Sequence, residues 1–219
     1  MSPATTPFLI PAVHREAHSG VDRRTIPAPE ALERLSIGEP IFDAHITGLL
    51  DLDPLVVSRW VCGEDLRGVY QPIAFHNCDI DQLDLGRRTF YEMVEIVGCV
   101  VGQASLFQAY FYASLLIEDT CFEQPVNARG IQSDGRLVIH NTLFAGHVDL
   151  SDLSVGQYAN FSAVRFVGGT NLLQEASGHW EARFPAGLSL QGCVFRPEDV
   201  PSGFDLTSRG GVLLASGAK

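Results

Sequence analysis

Hydrophobic and polar positions alternate in short stretches that recur along most of the chain. Residues 44–52 (AHITGLLDL), 142–150 (TLFAGHVDL) and 164–172 (VRFVGGTNL) follow one template, in which two large apolar residues lie six positions apart around a glycine. The residue two positions before each of them is small or apolar. A period of two predicts β-strands, because successive side chains of a strand point to opposite faces.

The large apolar residue at the centre of each step returns after five or six residues. We expect each centre, and the residue two positions before it, to point into a core. Arg88, two positions before Phe90, is the one predicted inward residue whose type does not suit a core. The predicted centres are Phe75, Ile80, Leu85, Phe90, Ile96, Val101, Leu106, Phe111, Leu116, Phe122, Ile139, Phe144, Leu150, Val155, Phe161, Phe166, Leu172, Leu190 and Phe195.

Similar residues recur at a distance of about four steps. Gln82, Gln103 and Gln124 are spaced 21 residues apart, and Phe144 and Phe166 are 22 apart. Four steps therefore make one turn of a coil, in which like residues stack about 4.8 Å apart, as strands of a sheet do. The sequence predicts a repeat protein.

These steps resemble the unit of the pentapeptide-repeat proteins, which is alanine, aspartate or asparagine, leucine and two variable residues. The best matches are residues 104–108 (ASLFQ), 148–152 (VDLSD) and 159–163 (ANFSA), and the resemblance covers about residues 41–197. It implies an all-β fold, a right-handed quadrilateral β-helix with the centre residues inside. Inward residues larger than alanine and frequent six-residue steps depart from the family pattern.

The chain is expected to form one domain with three parts. Residues 1–43 are predicted to hold a proline-rich arm and a short helix at 29–35 that caps the coil. Residues 44–197 are predicted to form the β-helix, and residues 198–219 a C-terminal tail. A terminal cap is expected because a solenoid otherwise exposes the end of its core.

Three stretches interrupt the steps and are predicted to be loops. They are residues 53–72, 123–136 and 173–187, which contain proline, glycine or tryptophan where the pattern lapses. Trp60, in the first, is expected to pack on the coil. Loops on a rigid scaffold are where function tends to concentrate.

The composition argues against several classes of protein. No segment approaches the about 20 apolar residues of a membrane span, and the N-terminus lacks the basic region of a secretory signal, so a cytoplasmic protein is expected. No dinucleotide, phosphate-loop or HExxH motif is present, so no cofactor is expected. The only lysine is Lys219, so direct binding to nucleic acid is not expected.

The five cysteines carry no spacing typical of a metal site or a disulfide framework. Cys78, Cys99 and Cys193 fall on inward positions, where cysteine behaves as a small hydrophobic residue. Cys62 and Cys121 lie off those positions and are expected to be accessible to thiol reagents. No metal site is predicted.

Negative charge is concentrated in one part of the chain. Residues 43–125 carry 13 acidic and 4 basic residues, whereas residues 126–219 carry 8 and 7. Asp79, Asp81 and Asp84 are predicted to point outward into water, so reversing their charge should leave stability nearly unchanged. Such a surface favours solubility, or it resembles DNA to a partner with a basic groove.

The family resemblance implies one candidate partner for an acidic surface. Pentapeptide-repeat proteins that protect DNA gyrase or topoisomerase IV from poisons are thought to act as DNA mimics. A type II topoisomerase is therefore the specific protein partner that we expect, by fold-level analogy.

Four aromatic residues occupy predicted outward positions on neighbouring turns: Tyr91, Phe107, Tyr110 and Tyr112. A contiguous apolar patch usually marks a binding site or is covered by the chain itself. Three explanations remain open: cover by the N-terminal arm, a protein partner or homodimer, and a small-molecule pocket.

Candidate catalytic residues are few. His76 with Asp79 and Asp81, or His147 with Asp149, could form an acid–base couple, and His140 is a third candidate. The alternative function is therefore an enzyme of small-molecule metabolism, with a site between the coil and the loops at 53–72 or 123–136. A binding protein is the preferred interpretation because no nucleophile motif accompanies these histidines.

Overall fold

The computed structural model describes residues 23–174 and 183–213, which form a mostly β structure with few helices. The strands make three parallel sheets, here called sheet 1 (eleven strands), sheet 2 (seven) and sheet 3 (four), and one antiparallel hairpin. The arm at 1–22, the middle of the predicted loop at 173–187 and the last six residues of the tail lie outside the described residues.

Sheet 1 is the longest of the three and runs through the whole described chain. Its strands are β1 (Arg24–Pro27), β3 (Ala44–Asp51), β7 (Asp79–Asp84), β10 (Val100–Ser105), β13 (Cys121–Phe122), β14 (Val126–Asn127), β17 (Leu143–Phe144), β18 (Val148–Asp149), β21 (Arg165–Phe166), β23 (Val194–Phe195) and β24 (Val212–Leu213).

Sheets 2 and 3 contain the remaining parallel strands. Sheet 2 consists of β2 (Ile41–Phe42), β6 (Ile73–His76), β9 (Val94–Val97), β12 (Leu115–Glu118), β16 (Leu137–His140), β20 (Ala159–Ser162) and β22 (Leu188–Ser189). Sheet 3 consists of β8 (Thr89–Phe90), β11 (Tyr110–Phe111), β15 (Gln132–Ser133) and β19 (Ser154–Val155). The hairpin is formed by β4 (Val57–Val61) and β5 (Glu64–Gly68).

From β6 to β20 the chain visits sheets 2, 1 and 3 in rotation, and each visit adds a strand beside the one from the previous turn. Val101 pairs with Ile80 and Phe122, each 21 residues away. Ile139 pairs with Phe161, 22 residues on. These registers confirm the predicted turn lengths.

The inward residues form columns of like side chains. In sheet 1, the rings of Phe122, Phe144, Phe166 and Phe195 stack with centroids 5.0, 5.5 and 5.0 Å apart. All four belong to the central core cluster. Burial of these rings on every turn supplies the main driving force for stacking the turns.

One predicted centre, Leu116, is wrong by a single residue. Leu115 and Ile117 are buried and Leu116 is partly exposed. Residues 115–117 are all large and apolar, so hydrophobicity alone does not set the register there. Pairing of Ile117 with Ile96 and Ile139 in the neighbouring turns sets it, because a one-residue slip would turn every side chain to the other face.

The bend from sheet 2 to sheet 1 uses a left-handed backbone conformation on each turn. Asn77, Asp119 and Asn141 have φ angles of 54°, 50° and 44° at equivalent places. Asparagine and aspartate tolerate this conformation better than most residues. The Asn141 side-chain amide donates to the Asp119 carboxylate at 2.6 Å, which ties one bend to the next.

Two loop predictions have different outcomes. Residues 53–72 leave the parallel sheets as a 3-10 turn (Asp53–Leu55) followed by the hairpin, but Trp60 is 75% exposed and does not pack on the coil. The loop predicted at 123–136 is wrong. Its strands β14 and β15 pair with the turns on both sides, and Val126 and Ile131 are buried, because the inward positions remain apolar although Pro125 and two glycines disturb the pattern.

The chain ends are more ordered than the sequence indicates. The predicted helix is present as α1 (Ala28–Ser36), with Leu35 and Ala31 buried against the first strands and an ion pair between Glu30 and Arg34 at 2.9 Å. Beyond residue 197, two 3-10 turns (Pro197–Asp199 and Thr207–Arg209) lead into β24, which pairs with β23. The described part of the tail thus continues sheet 1.

Most cysteines are buried thiols, with one correction to the prediction. Cys78, Cys99 and Cys193 are fully buried, and each thiol donates to a backbone carbonyl, as Cys193 does to Phe161 at 3.2 Å. Burial raises the pKa of Cys193 to about 12. Cys62 is exposed as predicted, but Cys121 is only 7% exposed, so the expectation of an accessible Cys121 is wrong.

Candidate functional site

The three aspartates predicted to face water are each engaged by a basic side chain. Asp79 pairs with the guanidinium of Arg23, whose side chain is 6% exposed. Asp81 accepts from His45 Nε2 at 3.0 Å and from the Gly48 backbone N–H at 3.0 Å. The hydrogen bond with His45, followed by that from Gly48, lowers the pKa of Asp81.

The third aspartate, Asp84, belongs to a cluster around Arg88. The Arg88 side chain is 6% exposed and lies among the carboxylates of Asp51, Asp53 and Asp84, with Asp84 Oδ1 at 3.5 Å and Asp53 Oδ1 at 3.7 Å. Its guanidinium also donates to the Gly86 carbonyl at 2.7 Å. Arg88 is therefore buried as its sequence position predicts, with its charge compensated at the turn between sheets 1 and 3.

These pairs correct the expectation that charge reversal at Asp79 and Asp84 would leave stability unchanged. Each carboxylate compensates a guanidinium that water reaches poorly. Removing one partner of a buried pair is costly because the other charge remains desolvated.

The tyrosines predicted to lie near one another do so. Tyr91 and Tyr112 stack with centroids 5.2 Å apart, and Tyr110 lies 5.5 Å from Tyr112. Tyr70 extends the stack at 4.3 Å from Tyr91, and we call the four residues the tyrosine ladder. Sequence reasoning missed Tyr70, although its separation of 21 residues from Tyr91 was a signal for it.

The hairpin packs on one end of the tyrosine ladder. The Arg59 guanidinium lies 4.1 Å from the centroid of the Tyr70 ring, and the Tyr70 hydroxyl donates to the Leu66 carbonyl at 2.6 Å. Gly68 is required at this contact, since a Cβ there would lie 2.8 Å from the Tyr91 ring and 2.5 Å from the Thr89 carbonyl oxygen. Part of the aromatic patch is thus covered by an inserted segment of the chain.

The far end of the ladder remains open to solvent. Tyr112 is 53% exposed, and Trp60, on the face of the hairpin opposite Arg59, is 75% exposed. We call the tyrosine ladder together with Trp60 the aromatic surface. Burial, followed by a hydrogen bond to Asp134, raises the pKa of Tyr110 to about 12. Burial, followed by a hydrogen bond with Tyr70, raises that of Tyr91.

Phe107 lies between two shallow hollows beside the ladder. One, of about 530 Å³, is also lined by Tyr110, Arg129 and Asp152, and the other, of about 440 Å³, by the Arg88 cluster. Arg87 lies over the Phe107 ring at 5.3 Å. Both hollows are open to solvent, and their charges of opposite sign lie close together, as in the Arg129–Asp152 pair at 3.4 Å.

The candidate catalytic histidines do not converge. His76 stacks on Phe42 at 4.9 Å and lies 3.6 Å from Glu95, whereas His140 bonds Ser162 at 2.8 Å. Three strand spacings of sheet 2, about 14 Å, separate them. His147 lies on an exposed turn before β18. Within the described chain these histidines do not form one acid–base constellation.

Among the described residues, no group of histidine, cysteine, aspartate and glutamate side chains is arranged to hold a metal ion. No helix in this part of the chain has the length and apolar character needed to cross a membrane. No protein-family model, curated protein or solved structure matches the chain.

Proposed function

We propose that this chain is a binding protein that engages a protein partner through its aromatic surface. The observation that carries the proposal is the exposure of Trp60 and Tyr112 at the two ends of a stacked aromatic array. Tryptophan, tyrosine and arginine are the residues that most often dominate protein interfaces. Rings already stacked lose little conformational freedom on binding, which favours affinity.

The scaffold of this surface is proposed to be a right-handed quadrilateral β-helix of the pentapeptide-repeat type. Rotation of the chain among three parallel sheets every 21 or 22 residues supports a coil. Right-handed crossovers between parallel strands are favoured in about 98% of cases. Such a scaffold holds surface side chains at fixed spacings, which suits a preformed binding surface.

The test is whether a partner depends on the aromatic surface. Immobilised chain is exposed to an extract of the cells that produce it, and the parent is compared with Trp60→Ala and Tyr112→Ser. Tyr158→Ser is the matched control, because Tyr158 is 44% exposed but lies outside the ladder. We expect a protein that the parent and the control retain and the two variants lose. If no protein shows that dependence, the proposal fails.

A type II topoisomerase is the specific partner proposed for this surface. The net charge of −11 and the acidic stretch 43–125 favour a partner with a basic groove. Since Asp79, Asp81 and Asp84 are engaged internally, the carboxylates proposed to meet the partner are the exposed ones beside the aromatic surface, Glu64 and Asp65. Glu92, which follows Tyr91, is exposed as well.

DNA supercoiling by purified gyrase tests this version. We expect the parent chain to inhibit at tens of micromolar in low salt and more weakly at physiological salt, where charges are screened over about 8 Å. The triple variant Glu64→Gln, Asp65→Asn and Glu92→Gln should inhibit less. The control makes the same change in net charge elsewhere, at Gln157→Lys, Ala186→Lys and Ser202→Lys, and should inhibit like the parent. No inhibition by the parent would exclude gyrase and leave the aromatic surface to the first test.

A further inference from the structure

Two apolar residues on the outer face of sheet 1 are buried although they point away from the core. Cys121 and Leu143 directly precede Phe122 and Phe144, whose side chains point inward. Successive side chains of a strand alternate between faces, so Cys121 and Leu143 point outward. They are nevertheless 7% and 3% exposed, and neither belongs to the central core cluster.

The same positions in sheet 2 show that stacking alone does not produce this burial. Leu116 and Val138 point outward between inward residues of β12 and β16, pair with each other, and remain partly exposed. Leu143 has the same residue type as Leu116 and the same strand spacing, yet it is shielded. Something in the molecule therefore covers the outer face of sheet 1.

The covered area extends across several strands. Cys121 pairs with Val100 below and Leu143 above, and Leu143 pairs with Arg165. Arg165 Nε is buried as well. One strand below Val100, the buried side chain of Arg23 meets the outward carboxylate of Asp79. The covered strip thus runs from β7 to β21, and Arg23 marks the place where the preceding chain reaches it.

We propose that residues 1–22 of the same chain lie across this strip and cover it. The segment ends at Arg23, beside the strip, and contains the apolar run Phe8, Leu9 and Ile10 with Val13. An extended segment of this length spans about 70 Å, whereas four strand spacings are about 19 Å, so the reach is ample. Pro3, Pro7 and Pro11 favour an extended conformation over a helix.

This cover has a consequence for binding. It removes Val100, Cys121 and Leu143 from the surface that a partner can contact, so the outer face of sheet 1 is not an open binding face while the segment is in place. The aromatic surface lies on the turns around sheet 3, away from the strip, and stays accessible.

Cysteine labelling in the full chain tests the cover, with peptide mass spectrometry identifying each labelled thiol. In the parent we expect Cys62 to react rapidly and Cys121 at least about 100-fold more slowly, because only accessible thiols react. The full-length variant Phe8→Asp, Leu9→Asp, Ile10→Asp should bring Cys121 to within about tenfold of Cys62. Cys78 and Cys99 should stay protected, which shows that the core remains folded. Equal protection of Cys121 in parent and variant would overturn the proposal, as would rapid labelling of Cys121 in the parent.

A crosslinking experiment keeps the test decisive if the triple variant unfolds. Single cysteines replace Thr6, Ile10 or His14 in the full chain, and diamide oxidises thiols that lie close together. We expect at least one of them to form an intramolecular disulfide with Cys121, seen as a monomer with a linked peptide pair. A disulfide-linked dimer instead would assign the cover to the segment of a second copy. No link from any position would reject residues 1–22 as the cover.

Discussion

At the scale of single residues, charged side chains on the turns compensate one another inside the chain. Arg88 shows this most clearly, since an inward position holds a guanidinium whose charge is balanced by Asp51, Asp53 and Asp84. Asp79 with Arg23 and Asp81 with His45 repeat the arrangement on sheet 1. Acidic residues that look solvent-directed in the sequence therefore contribute to folding.

The Arg88 cluster leads to a prediction about stability. Asp51→Asn should lower the free energy of unfolding by about 1.5 to 3 kcal/mol, the range for hydrogen bonds to charged groups. In an Arg88→Met background the same change should cost close to nothing, because methionine suits an inward position and no buried charge remains to be compensated. Urea unfolding of the four chains in the cycle provides the measurement.

Asp65→Asn on the hairpin is the control for the loss of a carboxylate. Asp65 is exposed, so the change should stay within about 0.5 kcal/mol. Equal costs for Asp51→Asn in both backgrounds would show that Asp51 does not act through Arg88.

Tyr110 leads to a prediction about alkaline pH. Its folded-state pKa of about 12 lies above the value of about 10 for a free tyrosine, so the folded chain holds the phenolic proton more tightly. The resulting stability is complete below pH 10 and is lost as pH rises from about 10 to about 12. Tyr110→Phe should therefore show a smaller fall in melting temperature over that interval than the parent. Tyr158→Phe should follow the parent, and parallel profiles for all three would contradict the role of Tyr110.

At the scale of elements, the short strands of sheet 1 depend on their neighbours. Strands such as β13 and β17 contain two residues each, too few to be stable alone. Ring stacking from Phe122 to Phe195 and the parallel register of successive turns hold them in place. Loss of one ring should weaken the turns on both sides.

Phe144→Ala tests this dependence. The change should cost about 3 to 5 kcal/mol, as large-to-small core substitutions do, because the rings of Phe122 and Phe166 cannot close the gap. Val167→Ala is the control on the same sheet, since Val167 is 39% exposed and should contribute less than about 0.5 kcal/mol. Thermal melting within a degree or two of the parent for Phe144→Ala would show that the ring is not part of the column.

At the scale of the whole molecule, each turn contacts only the turns beside it. Stability in such a stack is close to a sum of terms between neighbours, so the ends open before the middle. The N-terminal end is covered by α1, whereas the described C-terminal end is the exposed strand β24. The hairpin strands β4 and β5 pair only with each other in the described chain.

Native-state hydrogen exchange should report this gradient. Backbone amides of β10, β12 and β13 are expected to exchange slowest, and those of β24 and the hairpin fastest. Exchange measured by mass spectrometry on peptides from each turn provides the comparison. Uniform protection from β1 to β24 would instead indicate one cooperative unit.

Much of the fold follows from the sequence alone, because the signals that encode it are local and repeated. Alternation of side chains identifies the strands, and recurrence every 21 or 22 residues identifies the partner of each strand. The inward role of Cys78, Cys99 and even Arg88 follows from position. The proximity of Tyr91, Tyr110 and Tyr112 follows from the same spacing, and Tyr70 could have been added by it.

Only the tertiary structure decided features that depend on contacts between turns or with segments outside the repeat. The register of Leu116 required its neighbours, because three consecutive apolar residues fit either face. The strands within 123–136 gained order from pairing on both sides. The partners of Asp79, Asp81 and Asp84 lie 36 residues or more away or in another turn, and the burial of Cys121 reflects cover from outside its own sheet, which no local pattern records.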